Sequence, residues 1–232
     1  MLQKLSALQE KVRVRIKEIL HERKVLHGRR TMEAMQYMVE NPKAHLWRPS
    51  LTLLVFEALS RGTHDCQEER SAAALNVACG VEFLHTATLV VDDVFDKSHL
   101  RRGRPSCHTQ FGNDVAQLAA VQLQNLSVLC FAQSMDLVLA QCTSIEAMVS
   151  GEELDITKNE GSTFDLYQKN NLKSQMIVLA AEAGAIIAGA DGKNRRIARE
   201  YATALGFAYQ CQADLYDATG DAALLGQPTG QD

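Results

Sequence analysis

Residues 89–105 read LVVDDVFDKSHLRRGRP, and the rest of the chain is best read outward from them. An apolar run containing Phe83, Leu84, Ala87, Leu89, Val90 and Val91 ends in three carboxylates, Asp92, Asp93 and Asp96. At helical spacing Asp92 and Asp96 lie one turn apart on the same face, with Asp93 beside them. Carboxylates that close repel one another unless a cation neutralises them, and unpaired charge at the end of a buried segment is costly. Oxygen-only ligands favour Mg2+ or Ca2+ over zinc, and Mg2+ commonly shares a few carboxylates with a phosphate substrate. Arg101 and Arg102 follow, with planar forks suited to phosphate oxygens. Acids, cation and arginines together point to a diphosphate held by its charge. A solvated helix face is the competing reading, and the apolar run in front of the acids weighs against it.

The composition agrees with a helical protein. Of 232 residues 46% are apolar, only 6% are aromatic, and four are proline, which suits alanine- and leucine-rich helices. The length fits one domain, residues 1–232, large enough for a real core. A net charge of −4 without an extended basic stripe argues against a nucleic-acid partner. The six cysteines, at 66, 79, 107, 130, 142 and 211, form no CxxC pair and no zinc spacing. They read as reduced thiols in a cytoplasmic setting. The N-terminal MLQKLSALQEKVRVRIKEIL lacks a signal peptide's apolar core. Ile177–Ala190 is too short for a membrane span and contains Glu182.

Apolar periodicity and breakers predict helices over 4–28, 31–40, 49–60, 68–97, 112–139, 142–159, 163–190 and 193–217. In the first, Leu5, Leu8, Val12, Ile16, Ile19 and Leu20 form the apolar side. The four prolines, at 42, 49, 105 and 228, are expected between helices, and no window shows strand alternation. The expected architecture is an all-α bundle whose core holds a central apolar cavity.

A second acidic stretch, Gly206–Asp217 (GFAYQCQADLYD), ends in Asp214 and Asp217, and Lys173-Ser174 lies between the two acid motifs. Taken in order, AHLWRP (44–49), VEFLHTATLVVDDVFD (81–96), LRRGRP (100–105), GEELDI (151–156), LKS (172–174), GFAYQCQADLYD (206–217) and GDAALLGQPTGQD (220–232) resemble the trans-isoprenyl diphosphate synthases, or polyprenyl synthetases. Within that family the resemblance is strongest to farnesyl and geranylgeranyl diphosphate synthases. It covers residues from about 44 to the end, and implies the isoprenoid synthase-type helical bundle in a homodimer, or in a heterodimer with a homologous subunit. It also implies joining of an allylic diphosphate to isopentenyl diphosphate, head to tail. Carried over by motif, Mg2+ is held by Asp92, Asp93, Asp96, Asp214 and Asp217. Arg101, Lys173, Ser174 and Gln210 hold the allylic diphosphate, and His45, Arg48, His85 and Arg102 hold isopentenyl diphosphate. Metal at the acid cluster withdraws charge from the leaving diphosphate, and the second substrate's alkene attacks the resulting cation.

The chain also departs from the family pattern. An expected lysine is His45, a neutral and weaker phosphate anchor at pH 7. Ala213 replaces the first aspartate of the second acid motif, Ala120-Val121 replaces a Gly-Asp pair, and Glu152 replaces a glutamine. The last residues, Gly230-Gln231-Asp232, fall where relatives continue with further helices, so C-terminal helices of the family are expected to be missing. Three other readings stay open: a weakly active or regulatory partner subunit, a terpene-synthase-like lyase, and a di-iron carboxylate bundle. The last rests on Glu18-Ile-Leu-His21 and Glu82-Phe-Leu-His85, which share a Glu-x-x-His spacing. Ala87 and Thr88 stand where the family's short-chain members carry an aromatic, which favours a C20 or longer product.

Overall fold

Between Gln67 and Phe95 no proline interrupts the chain and alanine recurs, so a single helix of 29 residues runs through. At 1.5 Å per residue it is about 43 Å long. The computed structural model of the chain describes residues 2–23, 28–60, 67–157 and 174–219. Its helices are α1 (Leu2–Arg23), α2 (Arg29–Val39), α3 (Trp47–Leu59), α4 (Gln67–Phe95), α5 (Cys107–Phe111), α6 (Asn113–Phe131), α7 (Met135–Ile156), α8 (Gln175–Ile187) and α9 (Gly192–Thr219).

The hub is α4, which lies against α6 along its length and against α3, α8 and α1 on its other sides. That is why Ala74, Val77, Ala78, Val81, Phe83 and Leu84 are all buried although they do not share one face. Among the described residues α4 is the one helix long and apolar enough to cross a membrane, but 72% of its most apolar stretch is buried within the bundle. The shorter α8 is more apolar still, and its buried Glu182 is neutralised by Arg199 and Arg195 from α9. Arg195 also reaches Asp136 on α7 at 2.7 Å, so this ion-pair network ties α7, α8 and α9 together.

Several boundaries differ from expectation for identifiable reasons. The predicted helix 112–139 breaks at 132–134, although no glycine or proline marks the place. Ser134 Oγ accepts the Leu137 N–H at 3.3 Å and caps α7. Gln133 Nε2 donates to the carbonyls of Cys130 at 2.9 Å and Ala73 at 3.2 Å, covering the end of α6. Pro49 lies inside the first turn of α3 rather than before it, where its missing N–H is no loss. The expectation of no strand also fails, because β1 (Leu100–Arg101) and β2 (Arg104–Pro105) pair antiparallel. Strands of two residues are too short for alternation to register. Of the predicted helix 163–190, residues 163–173 lie outside the described residues.

Candidate active site

The C-terminus of α4 places the first acid motif. Lys97 adopts a left-handed φ of 53°, the Ser98 N–H bonds the Asp93 carbonyl at 3.0 Å, and the Lys97 N–H reaches the Val94 carbonyl at 3.4 Å. This left-handed cap leaves Asp92 and Asp93 in the last turn and Asp96 just past it. The helix dipole is already negative there, so each added carboxylate raises the need for a cation.

The three acids do not share one environment. Asp93 turns inward and is fully buried, Asp92 is half-buried, and Asp96 is exposed. Arg101 Nε donates to Asp93 Oδ1 at 2.6 Å, and its Nη2 donates to Asp92 Oδ2 at 3.1 Å. Burial, opposed by Arg101, pushes the Asp93 carboxyl up to about 6, and its Oδ2 is buried without a hydrogen-bond partner. The three carboxylates expected side by side thus differ in burial and partners. Asp92 and Asp93 both hold Arg101, but only Asp92 and Asp96 keep contact with solvent. Among the described residues no group of three or more His, Cys, Asp or Glu side chains forms a ready-made metal cage. Outward oxygen ligands at a negative helix end do fit a divalent cation that keeps some of its waters. The two Glu-x-x-His pairs do not unite in such a cage either: Glu18 pairs with Arg15 at the surface, whereas Glu82 is buried. This removes the support for the di-iron reading.

The β1–β2 hairpin aims the arginines. Leu100 pairs with Pro105 and Arg101 with Arg104, so Arg102 and Gly103 form the two-residue turn. Both have positive φ, 53° and 75°, as a type I′ turn requires. Gly103 adopts this freely, whereas Arg102 is strained there. Tyr37 secures the hairpin to α2, its hydroxyl donating to the Pro105 carbonyl at 2.8 Å and its ring lying 3.8 Å from the Arg104 guanidinium.

A second polar cluster lies further back along α4. Arg13 from α1 donates to the carbonyls of Ala44 at 2.6 Å and Asn41 at 3.4 Å, and Gln9 donates to the His45 carbonyl at 2.6 Å. These bonds hold the loop before α3. Leu46, buried with a left-handed φ of 47°, then turns the chain into α3. Arg48 Nη1 donates to His85 Nε2 at 2.9 Å, so the neutral imidazole carries its proton on Nδ1. Burial, reinforced by the charges of Arg48, Arg102 and Arg101, holds the His85 pKa well below 6.5. Glu82, one turn earlier on α4, is 1% exposed, and its Oε1 is buried without a hydrogen-bond partner. Burial raises its pKa against the opposing charges of Arg102, Arg48 and Arg13. One carboxylate thus stands among three arginines, and the cluster carries excess positive charge.

The remaining expected residues are less concentrated. His45 is exposed, and Ser174 is buried at the start of α8. Gly206 of α9 approaches Ser174 so closely that an added Cβ would lie 2.7 Å from the serine Cβ. Half-buried Gln210 follows one turn later. Lys173 and the side chains of Asp214 and Asp217 lie outside the described residues. Sequence reasoning missed Glu82 as part of the site, and also Arg13, Leu46, Trp47 and Tyr209. Tyr209 had a signal, since it lies in the second acid motif, whereas nothing local distinguishes Arg13.

A family model of polyprenyl synthetases matches residues 29–232. The chain belongs to the polyprenyl synthetase family. The farnesyl diphosphate synthase of Geobacillus stearothermophilus is 32% identical over 218 residues, covering 86% of this chain and 70% of that relative. A heterodimeric geranylgeranyl pyrophosphate synthase large subunit of Arabidopsis thaliana is 31% identical over 183 residues, covering 69% of this chain and 49% of its own length. The crystal structure of a decaprenyl diphosphate synthase from Rhodobacter capsulatus superposes with a TM-score of 0.81 at 29% identity, over 98% of this chain and 68% of that one. Across the first curated relatives the chain spans 40% to 70% of their length. These polyprenyl synthetases make products of different lengths, so membership in the family leaves chain length open.

Proposed function

We propose that this chain is a Mg2+-dependent trans-prenyltransferase that condenses an allylic diphosphate with isopentenyl diphosphate, head to tail, and releases pyrophosphate. One observation carries the reading: α4 presents outward carboxylates, Asp92 and Asp96, at its negative end, and an arginine-rich cluster around Glu82 and His85 behind them. The first suits a cation and the second an anion, the two halves of a metal-bound diphosphate. A divalent cation bound by Asp92 and Asp96, with Asp214 and Asp217, supplies charge neutralisation to the leaving diphosphate. Asp93 orients Arg101 towards that diphosphate, with Lys173, Ser174 and Gln210 as its further partners. Arg48 and Arg102 hold isopentenyl diphosphate, and His85 keeps Arg48 in place. No side chain acts as a nucleophile, because the alkene of the second substrate forms the new bond.

The buried Ala87 and half-buried Thr88 leave the approach to α4 without an aromatic, which supports a C20 or longer product. Ala87→Phe is expected to shorten the main product by at least one isoprene unit. Leu118, Val121 and Val128 form an exposed apolar stripe on α6, and Met135, Leu139 and Val149 form another on α7. These faces support a homodimer. The exposed His45, in place of a lysine, favours one second reading, a partner subunit of a heterodimer. Incubation of the protein with Mg2+, isopentenyl diphosphate and each allylic diphosphate decides between them. The synthase gives an elongated product by itself, whereas the partner subunit gives one only with an active homologue.

A further inference from the structure

Trp47 is the sole tryptophan of the chain, and the metal and phosphate ligands assigned above do not account for it. Its ring is half-buried against a small core formed by Ile177, Val178, Ala181 and Ala202, between α3, α8 and α9. The Arg48 guanidinium lies 4.7 Å from the Trp47 ring centroid and 5.6 Å from that of Tyr209. The two rings are themselves 5.2 Å apart and inclined by 44°. Arg48 thus lies against aromatic rings from α3 and α9, and is held at Nη1 by His85 at 2.9 Å. Its Nε is buried without a hydrogen-bond partner.

This arrangement answers a need specific to this chain. The second cationic anchor expected beside Arg48 is a histidine, His45, and it is exposed. A site left with fewer fixed charges depends more on how well the remaining guanidinium is oriented, because a planar fork rewards alignment. We propose that Trp47 and Tyr209 form an aromatic clamp that orients the Arg48 guanidinium for the diphosphate of isopentenyl diphosphate. Trp47 and Tyr209 are positioning residues and touch the substrate only through Arg48. Desolvated cation–π contacts change affinity by roughly tenfold or more. The proposal rests on the prenyltransferase reading.

The test compares Trp47→Leu, Tyr209→Leu and Trp47→Phe with the wild-type protein, with both substrates and Mg2+ varied separately. The two leucine variants are expected to raise KM for isopentenyl diphosphate by about tenfold. KM for the allylic diphosphate and the Mg2+ dependence should stay within about twofold, and Trp47→Phe should recover most of the loss. A purely structural role would instead move kcat and both KM values together. Because Trp47 is the only tryptophan, its emission in the wild-type protein should also change as isopentenyl diphosphate is titrated in, without turnover. Leucine variants with an unchanged KM for isopentenyl diphosphate, or with both KM values raised alike, refute the clamp while leaving the prenyltransferase reading intact. A wild-type protein with neither an emission change nor an elongated product refutes that reading, and the clamp with it. Should Trp47→Leu fail to fold, Tyr209→Leu and the emission titration decide the matter.

Discussion

Two regions of α4, about two turns apart, handle charge in opposite ways. The outer region, Asp92 to Asp96, has more negative charge than Arg101 balances, and two of its three acids face outward. The inner region, Glu82 to His85, is buried, and the arginines around it outnumber its single carboxylate. A buried charge is tolerated only when paired, so inner residues gain their partners from α1, α3 and the hairpin on folding. An outward charge stays open to solvent and to ligands. Asp93 shares the inner region's burial despite its place in the acid motif.

The largest effect should therefore come from Asp93. Asp93→Ala leaves half-buried Arg101 with Asp92 as its remaining carboxylate partner and is expected to cost about 3 kcal/mol of stability by denaturant titration. Asp96→Ala, at an exposed position, should stay within about 0.5 kcal/mol. Equal costs at the two positions would break the distinction. Next comes the double replacement of Asp92 and Asp96 by Ala. Charge-assisted contacts are worth roughly 1.5–3 kcal/mol each, so Mg2+-dependent binding of an allylic diphosphate should fall by about tenfold to a hundredfold or more. Calorimetry that found the same metal-dependent affinity would remove the outer region from the site.

Smaller gains are expected from restoring the two altered positions. His45→Lys should lower KM for isopentenyl diphosphate, and Ala213→Asp should lower the Mg2+ concentration needed, each by up to about tenfold. If both substitutions act on the same parameter, inner and outer regions are not the separate anion and cation sites described. The smallest effect sharpens the inner region. His85 is held neutral below its ordinary pKa of 6.5, so its NMR resonances should not titrate near pH 6.5, where an exposed histidine does. By linkage, the unfolded chain takes up that proton first. The His85 contribution to stability is therefore present above pH 6.5 and falls as pH drops below it. A His85 midpoint near 6.5 would show that the Arg48–His85 contact is not buried in solution.

Most helices were legible because they rest on local signals. Apolar spacing and breakers placed α1, α2, α3, α4 and α9 to within a few residues at most ends. The break between α6 and α7 was misplaced because a serine cap and a glutamine side chain mark it, and neither stands out in a run of apolar residues. The acid motif and Arg101-Arg102 were legible for the same reason, since the helix repeat and a short connection bring them together.

By itself, then, the sequence determined an all-α protein of the polyprenyl synthetase family, with carboxylates at a helix end and arginines soon after. Tertiary structure alone decided which carboxylate turns inward, because that depends on how the β1–β2 hairpin folds back over α4. It likewise decided that Glu82 and His85 join Arg48, and that Tyr209 meets Trp47 beside its guanidinium. Trp47 adjoins Arg48 in the chain, but the other partners lie 34 to 161 residues from it (82 − 48 and 209 − 48). No local pattern encodes such pairings: each depends on burial and charge balance that exist only once α1, α3, α4 and α9 have packed.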